Sequence, residues 1–517
     1  MSLFLRSAAT PGQGIWGRLD QRGRLAALLV VAASVAFTGT QSPTLARALV
    51  GGFGLVVFMV IAFSARDTAL VMVVVWLVLM GFVRRALIPF AGWADNDPLL
   101  LISPAAAITF LLASRGSGAR RAHNALSGIA AFLMLWSGLQ IFNPNEASLI
   151  TAAQGAMFWM VPMLWFFVGR TLTDEQHDRI MTAVVWVSAV VVFHGLYQTF
   201  FDLLPFEYTW LSSSKQGSAM FVGGFRVRPF STLTSPQEYG QALAFAIVIV
   251  WSRITYLPKG TERRVKGAHV VLLITSAVAL FYQSGRMNLV LCVLAFAIIT
   301  VVRFRSFVLL FLLLVLAVGL SQGVSMQGGD GTLAPAEASA DDAGTTAGAL
   351  AEHTIEGLTN PAGSTLPLHL HLIELAIEDG LRQPFGFGVS EGTIAGARAD
   401  TNERPSGEND VANALRALGT LPGFAYLAFL GAAFAGAVRV QRQRPSARHL
   451  ATLGMLICAL TSMWIGQLYA TSTIIFLALG GLARESGDLI EARQAATLQR
   501  LKSLARQARE PVGVGTA

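Results

Sequence analysis

Three arginines lie where apolar segments of the chain begin or end. Arg226 and Arg228 precede an apolar run in FRVRPFSTLTSPQEYG (225–240), and Arg286 interrupts another in FYQSGRMNL (281–289). A charge so close to hydrocarbon costs about 2.5–3.5 kcal/mol on insertion scales, so we expect an anion to offset it. Guanidinium is a permanently charged, planar fork of donors that matches phosphate oxygens. The three arginines therefore predict a diphosphate site that needs no metal.

A second candidate group opens the segment ENDVANALRALGTLPGFAYL (408–427), just before the next apolar run. Glu408 and Asp410 are carboxylates that could accept the proton of an attacking hydroxyl. We assign Glu408 as the general base and Asp410 as the second choice, against the alternative that Glu408 is a solvated loop residue. Three more polar residues of this region, His369, Arg404 and Asn409, are candidates for contacts to a substrate.

The histidines and cysteines do not form a recognisable metal motif in the sequence. His369 and His371 are two residues apart, which places them on different sides of a helix, so packing is favoured over a metal site. His194, inside an apolar segment, has the character of a core histidine. Cys292 and Cys458 both fall within apolar segments, which suggests neither a disulfide nor a zinc site. We expect no metal and no cofactor.

The composition is that of an integral membrane protein. Of 517 residues, 54% are hydrophobic and 13% are charged, against roughly 25% charged residues in a soluble domain. About 20 apolar residues cross a bilayer as a helix, and about fourteen segments qualify. These segments are 25–42, 45–65, 68–88, 99–113, 125–142, 150–169, 180–201, 237–256, 268–285, 287–303, 305–321, 420–438, 450–467 and 468–483.

The distribution of charge predicts the orientation. Most of the 38 Lys and Arg residues fall on one side of the segments if the amino terminus is cytoplasmic, as the positive-inside rule requires. The net charge of +8 thus reflects membrane topology rather than nucleic-acid binding. Both termini are predicted to be cytoplasmic. Arg84 and Arg85 are exceptions on the outer side, and we expect them to snorkel to the interface rather than to bind an anion.

We expect an all-α polytopic fold with about 12–14 transmembrane helices and one large loop on the outer side. The predicted divisions are a cytoplasmic tail (1–24), a helix bundle (25–320) with an outer loop (202–236), the large loop (321–420), carboxy-terminal membrane helices (421–484) and a basic cytoplasmic tail (485–517).

The large loop has two parts of different character. The stretch 328–350 is too poor in large apolar residues to pack, so we expect it to be unstructured. From 366 to 381, apolar residues recur at helical spacing beside acidic ones, which predicts an amphipathic helix lying on a surface. The residues that carry this spacing are Leu368, Leu372, Leu375 and Ala376. Gly386 and Gly388 then end the helix, and a short helix from Val411 leads to the next apolar segment.

Four stretches, in order and on matching sides, resemble the O-antigen ligase and O-antigen polymerase superfamily of bacterial polysaccharide assembly. The first, 228–240, is similar to an Arg, small residue, Pro-Asn pattern, with Arg228, Ser231 and Pro236-Gln237 at those positions. Ser284-Gly285-Arg286 resembles a Ser-Arg turn between two helices. The stretch 372–393 is similar to an amphipathic helix followed by Pro-x-x-Gly-x-Gly, and 408–427 resembles a closing His-Asn, helix, Gly-Leu-x-Gly pattern.

The resemblance implies a metal-independent inverting glycosyltransferase of GT-C-like fold in the inner (cytoplasmic) membrane of a bacterium, with its active site and the large loop facing the periplasm. Its donor would be a glycan on a polyprenyl diphosphate such as undecaprenyl diphosphate, and Arg228 and Arg286 would hold the diphosphate leaving group. Membrane lipid, and a flippase and a chain-length regulator of the same pathway, are the implied partners. The chain departs from the pattern at His369, where an arginine is expected, and at Glu408, where a histidine is expected.

Several functions stay open at this point. Within the family, a polymerase of O-antigen or exopolysaccharide repeats and a ligase that transfers the glycan to lipid A core or protein, as in lipopolysaccharide assembly, share donor and chemistry. We favour a polymerase because of the two departures. A lipid-linked oligosaccharide flippase is the alternative from another class, although the chain lacks the repeated halves common in transporters. A structural scaffold would not need Arg286 at a helix turn.

Overall fold

The computed structural model describes residues 43–94, 97–114, 124–213, 220–222, 226–258, 260–306, 346–360, 366–398, 408–460 and 468–507. Its elements, in chain order, are the helices α1 (Pro43–Ser64), α2 (Arg66–Ala86), α3 (Ile88–Ala91), α4 (Ile102–Ala113), α5 (Ala125–Leu139), α6 (Leu149–Gly169), α7 (Asp174–Phe200) and α8 (Pro205–Ser213), the strands β1 (Phe221–Val222) and β2 (Arg226–Val227), and the helices α9 (Pro236–Tyr256), α10 (Arg263–Tyr282), α11 (Arg286–Phe304), α12 (Thr346–Thr359), α13 (Leu366–Arg382), α14 (Ile394–Arg398), α15 (Asp410–Leu418), α16 (Thr420–Gln443), α17 (Ala447–Cys458) and α18 (Tyr469–Gln507). Short 3-10 turns at Pro98–Leu101 and Gln140–Phe142 extend α4 and α5.

The protein is an all-α polytopic membrane protein, as the sequence predicts. Within the described residues, eight helices are long and apolar enough to cross a membrane: α1, α2, α5, α6, α7, α10, α11 and α16. The predicted segments 99–113 and 450–467 correspond to shorter apolar helices, Pro98–Ala113 and Ala447–Cys458. The predicted segment 25–42 and most of 305–321 lie outside the described residues.

Helix α9 is at the centre of the bundle and packs against α7, α10, α11 and α17. Ser235 caps it, because its hydroxyl accepts a hydrogen bond from the Glu238 amide at 3.1 Å, and Pro236 has the fixed φ that suits a first helical position. The buried Glu238 carboxylate also accepts the amides of Thr234 at 3.1 Å and Ala470 at 2.6 Å. The start of α9 is therefore tied to the start of α18.

Helix direction and contacts bring one set of helix ends together, which we call the loop end. Helices α2, α5, α7 and α10 end there, and α6, α9, α11, α16 and α18 begin there. Arg85 at the end of α2 donates to the Leu233 carbonyl before α9, and Gln140 after α5 donates to the Phe385 carbonyl in the segment before α16. The opposite end, the charged end, holds a network in which Arg448 pairs with Asp174, Asp178 and Glu485.

The outward faces of the helices are apolar. Trp186 and Phe193 on α7, Ile274 on α10 and Phe424 on α16 are all more than half exposed. In water such surfaces would be unfavourable, whereas in a bilayer they contact lipid tails. The exposed apolar side chains thus agree with the membrane assignment that length and composition give.

The large loop is partly different from the prediction. The stretch up to 350 was expected to be unstructured, but α12 begins at Thr346 and fully buries Leu350. That expectation is wrong for the end of the stretch, because Leu350 and Thr354 form one buried face of a helix; residues 328–345 lie outside the described residues. The predicted amphipathic helix is confirmed as α13, with Ala376 buried and Leu368 exposed.

The expectation that Arg84 and Arg85 snorkel to the interface is wrong. Both side chains are buried, with Arg84 paired with Asp97 at 3.0 Å and Arg85 lying 3.7 Å from the Glu207 carboxylate. Arg85 also lies over the rings of Trp210 and Phe230. Internal partners replace the water that snorkelling would provide, so these two arginines are part of the packed interior.

Candidate functional site

Two of the sequence motifs meet at the loop end. The Arg228 guanidinium donates to the Ser284 carbonyl at 2.9 Å and to the Gln283 carbonyl at 3.4 Å. The Gln283 side chain in turn donates to the Pro236 carbonyl at 2.7 Å. Hydrogen bonds therefore join the segment before α9 directly to the turn between α10 and α11.

The segment between Arg228 and α9 is held tightly by its own backbone. Ser231, at the position of the small residue, is fully buried, and its amide donates to Gln198 Oε1 at 2.7 Å while its hydroxyl donates to the Val191 carbonyl at 2.6 Å. Gly81 of α2 lets this segment approach closely, because a Cβ there would lie 2.6 Å from the Leu233 oxygen. Arg228 thus projects from a rigid support.

The turn between α10 and α11 has an unusual backbone. Ser284 has φ +63°, and the Gly285 amide donates to the Gln283 side chain at 2.8 Å, so that α11 starts at Arg286. Among the described non-glycine residues with positive φ, three lie in the motifs: Ser231 at 54°, Ser284 at 63° and Glu408 at 59°. Such conformations cost of order 1–3 kcal/mol each and cluster at functional sites. Each of the three lies in a different one of the stretches that the sequence analysis identifies.

Arg286 lies against helix α12. Its guanidinium donates to His353 Nε2 at 3.2 Å, and His353 Nδ1 lies 2.7 Å from the Ser284 hydroxyl. Gly357 makes this approach possible, because a Cβ there would lie 2.1 Å from the guanidinium carbon of Arg286. We call Arg228, Ser284, Arg286 and His353 together the arginine turn.

The arginine turn has a positive electrostatic field. Burial, reinforced by the nearby Arg286, lowers the pKa of Arg228 to about 10, which still leaves it charged at neutral pH. Partial burial and the two arginines lower the pKa of His353 below its usual value. Arg226 lies on the short strand β2, which ends at Val227, directly before Arg228. An anion is the ligand that this arrangement favours.

The second set of candidate residues, around Glu408 and Asp410, lies between α13 and α16. His369 Nδ1 of α13 lies 3.3 Å from Glu408 Oε2, and Asn409 caps α15 by accepting the Ala412 amide at 2.8 Å. Asp410 is buried and accepts a hydrogen bond from the Tyr426 hydroxyl at 3.0 Å. Glu408 is therefore the more accessible of the two candidate bases, whereas the Asp410 side chain is buried and hydrogen-bonded.

Buried polar contacts fix this segment to the bundle. The Glu146 carboxylate between α5 and α6 accepts the Ser390 amide at 2.8 Å and also its hydroxyl. The Phe387 amide donates to the Arg416 carbonyl at 2.9 Å, and the buried Arg416 side chain pairs with Asp379 at 3.2 Å. Residues 387–390, which follow α13, are thus fixed to the bundle by hydrogen bonds.

Comparison of the chain with protein-family models and with curated proteins finds no match. What the site can do chemically therefore follows from its own geometry. In the part of the chain that the structure describes, no group of three or more His, Cys, Asp or Glu side chains could hold a metal ion.

The structure brings Arg228 and Arg286 together in one group, with Arg226 next to it, and places His369, Glu408, Asn409 and Asp410 in a second group at the same end of the bundle. Arg404 lies outside the described residues. Sequence reasoning missed His353 and Glu146. His353 could have been found, because Leu350, Thr354 and Leu358 recur at helical spacing around it.

Proposed function

We propose that the chain is a metal-independent inverting glycosyltransferase that uses a glycan on a polyprenyl diphosphate as donor and polymerises O-antigen or exopolysaccharide repeats at the periplasmic face of the inner membrane. The observation that carries the proposal is the arginine turn. Arg286 lies at a helix start next to hydrocarbon and donates a hydrogen bond to the neutral imidazole of His353. Among the described residues, no carboxylate lies within ion-pair distance of Arg286. A lipid-linked diphosphate would supply the missing negative charge.

A diphosphate suits this place for chemical reasons. Its oxygens accept several charge-assisted hydrogen bonds at once, which Arg228 and Arg286 can donate without a metal. Negative charge grows on the leaving diphosphate during transfer, and preorganised donors stabilise that charge more than the ground state. The rigid support of Arg228 and the shaped turn at Ser284 supply the preorganisation.

The acceptor side draws support from a contact between two departures from the family pattern. His369 stands where an arginine is expected and Glu408 where a histidine is expected, and the two side chains are 3.3 Å apart. Compared with the family pattern, both the expected histidine and the expected arginine are thus replaced, and a carboxylate–imidazole pair stands in their place. We assign Glu408 as the general base and His369 as the residue that orients it.

In the proposed reaction, a sugar hydroxyl of the acceptor attacks the anomeric carbon of the donor sugar from the face opposite the diphosphate. The bond from this carbon to the diphosphate oxygen breaks, with its electron pair staying on the oxygen, and Glu408 takes the hydroxyl proton. One displacement inverts the anomeric configuration. Arg228 and Arg286, with Arg226 beside them, hold the departing polyprenyl diphosphate.

The test compares polysaccharide from cells that carry wild-type protein, Arg286→Ala, Arg228→Ala or Glu408→Gln, with membrane-inserted protein measured in parallel. We expect long chains to vanish from gels in all three variants while single repeats accumulate on the lipid carrier outside. Glu374→Gln, an exposed acidic residue of α13, is the matched control and should leave chain length unchanged.

Other patterns would contradict the proposal in distinct ways. Long chains that persist on the lipid carrier without reaching a final acceptor would identify a ligase. Repeats trapped on the cytoplasmic side would identify a flippase. Normal polymer from all three variants would remove the transferase mechanism.

A further inference from the structure

His353 is bonded through both nitrogens of its ring. A guanidinium group can only donate hydrogen bonds, so Nε2 must accept the hydrogen bond from Arg286 with its lone pair. Nδ1 must then carry the ring hydrogen and donate a hydrogen bond to the Ser284 hydroxyl. A protonated imidazole has a hydrogen on both nitrogens and cannot accept from Arg286. The observed arrangement therefore exists only while His353 is neutral.

The charged groups around His353 explain why it is neutral. Arg286 faces it from α11 and Arg228 from the end of β2, and together with partial burial they lower its pKa. Glu356, on the same helix, opposes them as the weakest contribution. Helices α7 and α10 also pack against α12, and the ionisable side chains in their last turns are the phenols Tyr197 and Tyr282.

A bound diphosphate would reverse this field. A diphosphate esterified at both ends brings two negative charges to the arginines, and a negative charge close to imidazole favours its protonated form. Protonation of Nε2 ends its bond with Arg286, which frees that guanidinium group for a phosphate oxygen. The new Nε2 hydrogen is a further donor pointing into the same site.

We propose that His353 takes up a proton from solvent when a diphosphate diester occupies the arginine turn. Binding of the donor is then coupled to protonation of the His353 side chain on helix α12. The inference rests on the proposed function, because it concerns the same donor. It adds a residue that neither the sequence motifs nor the resemblance includes. His353 is thereby a further hydrogen-bond donor to the diphosphate, available only while the ligand is bound.

The sign of the pH dependence follows from proton uptake. The complex holds one more proton than the free protein and ligand between the pKa of free His353, which lies below its usual value of 6.5, and the higher pKa in the complex. Within that window a rise in pH weakens binding, by at most about tenfold per pH unit for one proton. Below the window the affinity is constant.

The experiment measures binding of a short-chain prenyl diphospho-N-acetylglucosamine to the full-length protein in lipid nanodiscs by calorimetry. This probe is a diester, so it lacks the terminal phosphate ionisation near pH 6 that would otherwise add its own pH dependence. Titrations between pH 5.5 and 8.5, in two buffers with different heats of ionisation, give both the Kd and the number of protons taken up.

The decisive variant is His353→Gln, because an amide can accept from Arg286 and donate to Ser284 but cannot titrate. For wild type we expect proton uptake and a Kd that rises several-fold per pH unit above pH 6.5. For His353→Gln we expect no uptake and a flat Kd. His371→Gln, an exposed histidine of α13, should behave as wild type.

Three results would overturn the inference. Equal proton uptake by wild type and a folded His353→Gln would assign the proton to another group and leave the diphosphate site standing. Should His353→Gln not fold, a wild-type uptake indistinguishable from zero would decide against His353 by itself. A wild type that does not bind the probe at any pH would remove both this inference and the proposed donor.

Discussion

Two pairs of arginines lie at the loop end, and they differ in their surroundings. Arg84 and Arg85 are buried next to the carboxylates of Asp97 and Glu207. Arg286, by contrast, donates a hydrogen bond to the imidazole of His353. Arg228 donates hydrogen bonds to two backbone carbonyls. Each arginine of the first pair has a carboxylate next to it, and Asp97 is shared with Arg47, whereas among the described residues Arg286 has no carboxylate partner. Under the proposed function, the first pair stabilises the bundle and the second pair binds the donor.

The largest effect should come from breaking the first pair. Arg85→Met leaves Glu207 and the carbonyls of Ser231 and Leu233 without their buried cation. Removal of one partner from a buried ion pair destabilises a protein by about 3–5 kcal/mol. We expect a strongly lowered thermal unfolding midpoint and a small folded fraction, with normal transfer activity per folded molecule. An Arg85→Met protein that unfolds like wild type would show that the pairing is not structural.

Breaking the second pair should have the opposite signature. Arg286→Gln is expected to reduce kcat/KM for glycan transfer about 10²–10³-fold, the usual range for loss of one donor to transition-state charge, or about 3–4 kcal/mol. The unfolding midpoint should stay close to wild type, because the described part of the chain provides no carboxylate that would lose a partner. Arg286→Lys should recover part of the rate, because it keeps charge but not the fork.

The contrast between the pairs could not be predicted from sequence. All four arginines lie on the predicted outer side next to apolar segments, so local pattern treats them alike. Asp97 and Glu207 are 13 and more than 100 residues from the nearest arginine they pair with, and only tertiary packing brings Glu207 to Arg85. The membrane helices, the Ser235-Pro236 helix start and the Ser284 turn were predictable, because hydropathy, capping and a charge in an apolar run are local signals.

The loop was harder to predict for the same reason. Helix α13 and the helix from Asp410 follow from periodicity, but nothing local links His369 to Glu408, which are far apart in sequence. Likewise His353 gains its place from the fit of Arg286 over Gly357, a contact between distant segments. Motif positions could therefore be predicted, whereas the partners that give them chemical character could not.

A second matched contrast lies on helix α13, which presents two histidine–carboxylate pairs. His369 lies 3.3 Å from Glu408, and His371 lies 3.8 Å from the largely exposed Glu374. Glu408→Gln should reduce kcat about 10²-fold, at the lower end of the contribution of a general base, whereas Glu374→Gln should leave it unchanged. Glu408→His should restore part of the rate, because imidazole can also accept the proton. Equal rates for the two glutamine variants would make Glu408 a solvated loop residue.

The smallest effect tests whether position alone distinguishes the two arginine pairs. A Cβ at Gly357 would lie 2.1 Å from the guanidinium carbon of Arg286, and because that group ends a flexible side chain, it should move aside without unfolding the bundle. Gly357→Ala should then lower kcat/KM about tenfold, or 1.4 kcal/mol, with an unfolding midpoint that is unchanged or slightly raised, since Ala favours helix more than Gly. Gly431→Ala, in α16, has open space around its added Cβ and should match wild type in rate. If Gly357→Ala transfers glycan as fast as Gly431→Ala, the charge of Arg286 suffices without its place against α12, and the contrast with Arg84 and Arg85 reduces to the presence or absence of a carboxylate.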